Sequence, residues 1–491
     1  MCRALVHIFN LSLKNGTFIS KFKIGKVIPI HKKESKKNME NYRPVCLLPA
    51  ISKLLERIMY NRVNDFLNAN DFFYENQFGF RKSSSTELAA IYLINKITEA
   101  LNNKMSAGAV FLDMSKAFDC VDHSILLDKL QHHGVRGIAL KWFKNYFEER
   151  EQIVTYDNKL SLNKNVVKCG APQGSVLAPL LYLIYVNDMH RHMKKTTPIL
   201  FADDTTLLSF AKTENEVVNC LNHNLGELQE WLICNKLTLN SKKTKFLMFG
   251  RKKKRDTSDL HVVLNDKRIK KVSSAKFLGL LVNEQLSWKE HMNIILSKIQ
   301  RNLGMIYKIK HYLNKNVLIQ LYYSMIFCHI RYGVAVWHHG NLAIKKKIQI
   351  VINKFMRIIY SLGYRDSVRL VMAENEFLSL NQIFTKEIAI IQQKFESKSL
   401  PKHFDKLYEK IKRNTSMITR SHTKYNPMFC RSLYIRQNIT HIGPKLWNNI
   451  PEEIRFNSDN GEFHLSSIMK FKNHVHDYCI KSVSFYETNE N

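Results

Sequence analysis

The segment Ile199–Phe210, ILFADDTTLLSF, sets two adjacent acids, Asp203 and Asp204, between two apolar, strand-like runs. Burying paired like charges is costly unless a cation neutralises them. Carboxylate oxygens are hard ligands suited to Mg²⁺, so a hairpin tip that holds metal is expected here. Upstream, Asp113 closes the run AVFLD and Asp119 follows in SKAFD. Acids on neighbouring strand ends can chelate two ions about 3.5–4 Å apart, one activating an attacking hydroxyl and one steadying a leaving phosphate. Taken singly, Asp113 and Asp119 read as turn or cap residues. Collected with the Asp203 and Asp204 pair, they point to phosphoryl transfer of the kind a nucleotide polymerase performs.

Such acids need strand ends and turns to hold them. Lys26–His31 and Val45–Leu48 read as short strands, and the apolar spacing of Ile51–Phe66 predicts a helix. Ala109–Leu112 is strand-like up to Asp113, and Asp122 or Ser124 is placed to cap a following helix. After the turn Gly170–Gly174 comes an apolar helix to about Asp188, then the hairpin with Asp203 and Asp204, a helix over Glu214–Cys234 and a strand over Lys245–Phe249. This order fits a sheet with helices packed on one face. Downstream, Leu286–Tyr312, Val317–Trp337, Lys345–Leu362 and Leu378–Ser397 have helical character.

The chain of 491 residues is longer than one core usually sustains, so two or three units are expected. With 45% hydrophobic residues it can bury real cores, which disfavours disorder. Its 75 Lys and Arg against 42 Asp and Glu leave a net charge of +33, which suits a polyanionic partner. Basic runs at His31–Lys37, Arg251–Arg255 and Lys345–Lys347 read individually as solvated loops, and RKKKR also as an import signal. The nine cysteines contain no CxxC pair, so a reduced intracellular setting, nuclear or cytoplasmic, is expected rather than secretion. The apolar window Val317–Trp337 carries Gln320, His329 and Arg331, which favours a buried helix over a membrane span.

Three ordered blocks, AVFLDMSKAFDCVDH, GAPQGSVLAPLLYLIYVND and FADDTTLL, resemble motifs A, B and C of reverse transcriptases, in wording closest to non-LTR (LINE-type) retrotransposons of the Jockey-like or chicken-repeat-like kind. KVIPIHKK and NYRPVCLLPAISKLLERI resemble the fingers, QFGFRKSSSTELA the segment before the palm, LTLNSKKTKFLMF motif D and AKFLGLLV the primer grip. HIGPKLWNNIPEEIR resembles the C-terminal part of the same reading frames. The resemblance implies an α/β (α+β) right-hand polymerase with fingers, a ferredoxin-like palm, and a mostly helical thumb and C-terminal region. In residues this divides as an N-terminal helix over 1–15, fingers and palm over 16–282, thumb over 283–340 and a C-terminal region over 341–491.

The same resemblance assigns roles. Asp113, Asp203 and Asp204 match the acids that bind two Mg²⁺ ions, with Mn²⁺ an acceptable substitute. Phe118 matches the aromatic gate that excludes a ribose 2′-hydroxyl, and Gln173 in APQGS the glutamine that contacts the nucleotide. Arg43 in NYRPV matches the fingers arginine on the triphosphate, with Lys32 or Lys33 as its companion. Lys243, or its neighbour Lys242, stands where motif D places a lysine that protonates leaving pyrophosphate. The implied partners are an RNA template, a DNA primer, their hybrid and dNTPs, with no membrane. An apurinic-type endonuclease usually precedes such a polymerase, whereas Met1 lies just ahead of the fingers. The sequence therefore reads as a truncated copy, a gene-model fragment or a domesticated polymerase that does not nick DNA unaided. A catalytically inactive, nucleic-acid-binding relic and a viral RNA-dependent RNA polymerase are the alternatives; Phe118 and the ADD context count against the latter.

Overall fold

The strand Ser106–Asp113 forms the middle of a five-stranded sheet. The computed structural model describes residues 2–32, 35–115, 117–157, 159–161, 164–250, 261–264, 267–410, 424–430, 438–459, 462–465 and 467–481. Lys33 and the basic run Arg251–Arg255 lie outside them. Asp204–Ala211 pairs antiparallel with the central strand on one side and Lys245–Phe249 on the other. Thr197–Phe201 and Lys270–Lys271 form the two edges. Leaving out the short edge strand Lys270–Lys271, the chain order strand, helix, strand, strand, helix, strand with spatial order fourth, first, third, second is ferredoxin-like.

The helices within this unit, Ala178–Val186 and Glu214–Cys234, pack on one face, as expected. Val110, Leu112, Leu207 and Phe246 from the sheet meet Leu181, Val217, Leu221 and Leu225 there. The opposite face is covered as well, by a helix the sequence reading missed, Thr86–Asn102, which meets Ala107, Ala109, Leu208 and Leu247. Apolar residues at both parities of AGAVFL are the physical reason, since a strand buried on both faces cannot alternate. Ser85 starts the helix by accepting the Leu88 N–H at 3.2 Å. A capping box between Thr213 and Glu216 starts Glu214–Cys234.

A second sheet lies in the segment expected to form the fingers. Ile24–His31 pairs antiparallel with Tyr42–Leu47 and parallel with Glu151–Tyr156, a strand absent from the local reading because its partner is remote. The helix Ala50–Ala69 follows Tyr42–Leu47 and carries Leu55, Met59, Val63 and Leu67 into the palm core.

After the palm, Lys289–Ile309 is one long helix that buries Met292, Ile295 and Ile299. The helix expected over Val317–Trp337 is broken instead: Lys315–Leu321 runs into a π-helical stretch Tyr322–Phe327, then Cys328–Arg331, and Val334–Trp337 begins afresh. Gly333 makes the break at φ +64, where a Cβ would sit 2.8 Å from Leu280 Cδ2. Its N–H donates to Glu87 Oε1 at 2.9 Å, tying this region to the helix Thr86–Asn102. One apolar core continues from that helix through Leu342–Ile359 and Leu380–Glu396 to Ile468–Lys481. Among the described residues no helix is long and apolar enough to cross a membrane.

Candidate active site

The register of the palm sheet makes Asp113 and Asp204 direct cross-strand partners. Antiparallel partners have Cα atoms about 4.5–5.5 Å apart, and like charges so placed repel. Asp203 occupies the turn between Phe201 and Asp204, which themselves pair. Three carboxylates thus share one end of the sheet. The expectation of a buried pair is corrected: Asp203 and Asp204 are exposed, because the turn after Phe201 carries Asp203 at its tip and Asp204 opens the next strand at the solvent end of the sheet. Crowding still acts on Asp204, whose carboxyl is pushed up by desolvation first and then by the charges of Asp203 and Asp113. Lys32 and Lys276 oppose that shift from nearby. Asp113 turns its Oδ2 to Lys243 Nζ at 3.5 Å. Among the described residues no three acidic, histidine or cysteine side chains converge closely enough to grip one ion.

The turn itself is held under strain. Ala202 has φ +55, a conformation that costs a non-glycine residue ~1–2 kcal/mol. Its N–H donates at 3.3 Å to Gln77 Oε1, which also accepts the Gly79 N–H at 2.9 Å. The run Asn76–Gly79 lies along Thr197–Phe201, with Phe78 N–H on Leu200 O and Leu200 N–H on Asn76 O. Gly79 allows this approach, since a Cβ there would come within 2.2 Å of the Ala202 nitrogen. The buried side chain of Gln77, 4% exposed, therefore fixes the acid-bearing turn. The sequence placed QFGF before the palm but gave Gln77 no part in it.

Phe118 is half-buried, stacked on Tyr182 at 4.6 Å and edge-on to Phe80 at 6.2 Å. Tyr182 lies beneath the acids: burial and then the charges of Asp203 and Asp204 push its phenol far up. The turn Gly170–Gly174 packs on the segment around Phe118, with Gly170 N–H on Val121 O and Ala171 N–H on Phe118 O. Gln173 Nε2 donates to Asp119 Oδ1 at 2.8 Å, which assigns Asp119 to orienting that side chain. Cys46 N–H in turn donates to Gln173 O at 2.7 Å, joining the fingers strand to the turn. Gly174 permits it at φ +131, for a Cβ would lie 2.3 Å from Cys46 O.

Arg43 is exposed on the fingers strand opposite Ile30 and has no ion pair among the described residues. Lys32 is exposed just beyond the paired strand, its N–H on Asn41 O at 2.8 Å. The structure thus brings Asp113, Asp203, Asp204, Lys243 and Lys32 to one end of the palm, with Phe118 and Gln173 on adjoining segments. Among the described residues no ion pair joins Arg43 to these acids.

The family described as reverse transcriptase (RNA-dependent DNA polymerase) matches residues 30–282, just over half of the chain. This chain belongs to that family. The probable RNA-directed DNA polymerase from transposon BS of Drosophila melanogaster is 30% identical over 383 residues, covering 73% of this chain and 41% of that protein. The RNA-directed DNA polymerase from mobile element jockey of the same fly is 29% identical over 367 residues, covering 72% and 39%. The chain spans about two-fifths of the length of these curated relatives. A solved apo telomerase from Candida tropicalis is similar at 11% identity and a TM-score of 0.41, covering 72% of this chain and 61% of that one, too slight a likeness to argue from. The matching relatives belong to mobile elements, and the family match places a reverse transcriptase domain over residues 30–282 of this chain.

Two residues at the acid cluster went unnoticed in the sequence. Lys276 sits in the hairpin Ser274–Phe277 and Leu280–Asn283, close enough to bear on Asp204, and its segment AKFLGLLV was the available signal. Gln77 carries no charge and no periodicity, so nothing local marked it.

Proposed function

We propose that the chain is an RNA-directed DNA polymerase that joins deoxynucleotides to a primer 3′-hydroxyl by two-metal catalysis. The cross-strand register of Asp113 with Asp204, beside Asp203 in the turn, carries this reading. Fit to the metal rests on the donor set: three carboxylates offering hard oxygen ligands at one sheet end, one of them raised by desolvation and then by its neighbours' charge. Asp113, Asp203 and Asp204 would hold the ions, whose chemistry is to favour the primer alkoxide and neutralise charge on the leaving pyrophosphate.

The chain's own residues do the rest by positioning and charge. Oxygen of the primer 3′-hydroxyl bonds to the α-phosphorus as the α–β bridge breaks, the hydroxyl proton passing to solvent. Lys243 protonates the pyrophosphate oxygen; its amine, 3.5 Å from Asp113 Oδ2, is near the acids, which supports that role. Arg43 and Lys32 grip the triphosphate, for which a planar guanidinium suits bidentate binding. Phe118, braced by Tyr182, blocks the 2′-hydroxyl of an rNTP, while Gln173, oriented by Asp119, meets the nucleotide. The division into fingers and palm over 16–282, thumb over 283–340 and a C-terminal region belongs to this proposal.

A second reading, an inactive nucleic-acid-binding relic, is favoured by one observation: among the described residues the three carboxylates do not converge closely enough to grip one ion. Primer extension on an RNA template with dNTPs and Mg²⁺ separates the two. Extension by the wild type that Asp203→Asn abolishes supports the polymerase. Hybrid binding without extension by either protein supports the relic.

A further inference from the structure

The helix Ala50–Ala69 carries one acid that the chemistry above does not use. Glu56 faces the palm beside Leu55 and is 0% exposed. A buried carboxylate is costly unless its oxygens are satisfied. Here they are: Oε2 accepts the Val176 N–H at 2.7 Å and the Ser175 hydroxyl at 2.8 Å, and Oε1 accepts the Tyr146 hydroxyl at 3.2 Å. Ser175 Oγ in turn accepts the backbone N–H groups of Leu177 and Ala178 at 3.0 and 3.3 Å. The carboxylate thus completes the N-terminal end of the helix Ala178–Val186, where its charge also meets the positive end of the helix dipole.

Charge balance is local too. Arg150, 2% exposed, lies over the other face of this cluster, with its Cζ 4.3 Å from the Tyr146 ring centroid and Nη1 on Tyr146 O at 3.1 Å. The charges of Arg150 and Glu56 both bear on the Tyr146 phenol. Tyr146 therefore separates a buried acid from a buried base, each anchored on it.

Directly ahead of Ser175 stand Gln173 and Gly174, and their backbone is in turn pressed against Cys46 of the fingers strand. Glu56 lies on the helix that leaves that same strand. Resting on the polymerase reading, we propose that Glu56 is a positioning residue: from the fingers-side helix it clamps Ser175 and Val176, and so fixes the turn that presents Gln173 and Gly174 to the incoming dNTP. The clamp acts on nucleotide binding and leaves the acids of the chemical step in place, because Asp113, Asp203 and Asp204 are positioned by a different strand register and by Gln77.

Steady-state extension on an RNA template tests this with Glu56→Gln, which keeps shape and removes charge, and with Ser175→Ala and Tyr146→Phe, which each remove one partner. The expected result for Glu56→Gln is a KM for dNTP raised about tenfold, equivalent to ~1.4 kcal/mol. Its kcat should change by less than about threefold and its template–primer affinity should stay near wild type, while losing a buried acceptor lowers its melting temperature somewhat. Ser175→Ala and Tyr146→Phe should show smaller rises in the same parameter, and the Glu56→Gln/Ser175→Ala double variant should fall short of the sum of its singles. A wild type that extends primers, with Glu56→Gln at unchanged KM or with its loss confined to melting temperature, overturns the proposal and leaves the polymerase reading intact. A wild type that extends nothing overturns both.

Discussion

Replacing Asp204 with Asn should stabilise the folded chain while destroying extension. Asp204 faces Asp113 across the ladder and adjoins Asp203 in the turn, so its ionised form meets two like charges. Solvent reaches this end of the sheet, and screening at exposed sites holds each such pair to a fraction of a kcal/mol, giving ~0.5–1 kcal/mol in all. The sign follows from the direction of the shift. The Asp204 carboxyl is raised in the folded state, so between the unfolded and folded values the native chain binds more protons than the unfolded one. That contribution is fully present below the unfolded value and is lost as pH rises through the folded value. The Asn variant carries no such dependence. In EDTA at neutral pH it should therefore melt about 1–3 °C above wild type, and the difference should begin to shrink as pH falls through the folded-state value and be gone below the unfolded one. Adding Mg²⁺ should raise the wild-type melting temperature more than that of the variant. Calorimetry across pH, with and without metal, is the assay. A variant that melts below wild type, or a gain that does not depend on pH, would refute the reasoning that these carboxylates repel one another.

Gly174→Ala forces a side chain into left-hand φ and against Cys46 O, so extension should fall at least about tenfold and stability by ~1–3 kcal/mol, read by kinetics and urea unfolding. Lys243→Ala should lower kcat by ~10²-fold or more with the KM for dNTP little changed, which pre-steady-state incorporation would report; equal losses in binding would contradict a proton-donor role. Phe118→Val should admit rNTPs, and competition between dCTP and rCTP should show selectivity falling by at least about tenfold. Gln77→Leu leaves the Ala202 and Gly79 N–H groups without their acceptor, so kcat should drop while nucleotide KM holds, the opposite split from that expected for Glu56→Gln.

The parts of the site that sequence made legible are those where chemistry restricts residue type. Acids at strand ends were readable because few folds tolerate ADD between ILF and TTLL, and the strand Lys245–Phe249 and helix Glu214–Cys234 were readable because their patterns and caps are local. What escaped depends on distant partners. Glu56 looked like one more charge on a helix, yet residues from two other segments, Tyr146 and Ser175–Val176, bury it completely. Gln77 gains its part only when Ala202 adopts positive φ beside it. The strand Glu151–Tyr156 exists through a parallel partner far back in the chain, and the break at Gly333 through contact with Leu280 and Glu87. Burial of Asp203 and Asp204 was misjudged because apolar flanks show where a hairpin turns but not how far its tip reaches into solvent.

The central claim is that Asp113, Asp203 and Asp204 form one phosphoryl-transfer centre. Rapid-quench addition of a single dNTP to a primer on an RNA template, following product and pyrophosphate together, tests it most directly in the wild type and Asp113→Asn. The account predicts one pyrophosphate per nucleotide added by the wild type, and a rate reduced by ~10³-fold or more in the variant with template–primer binding retained. Incorporation at an unchanged rate by Asp113→Asn would contradict it.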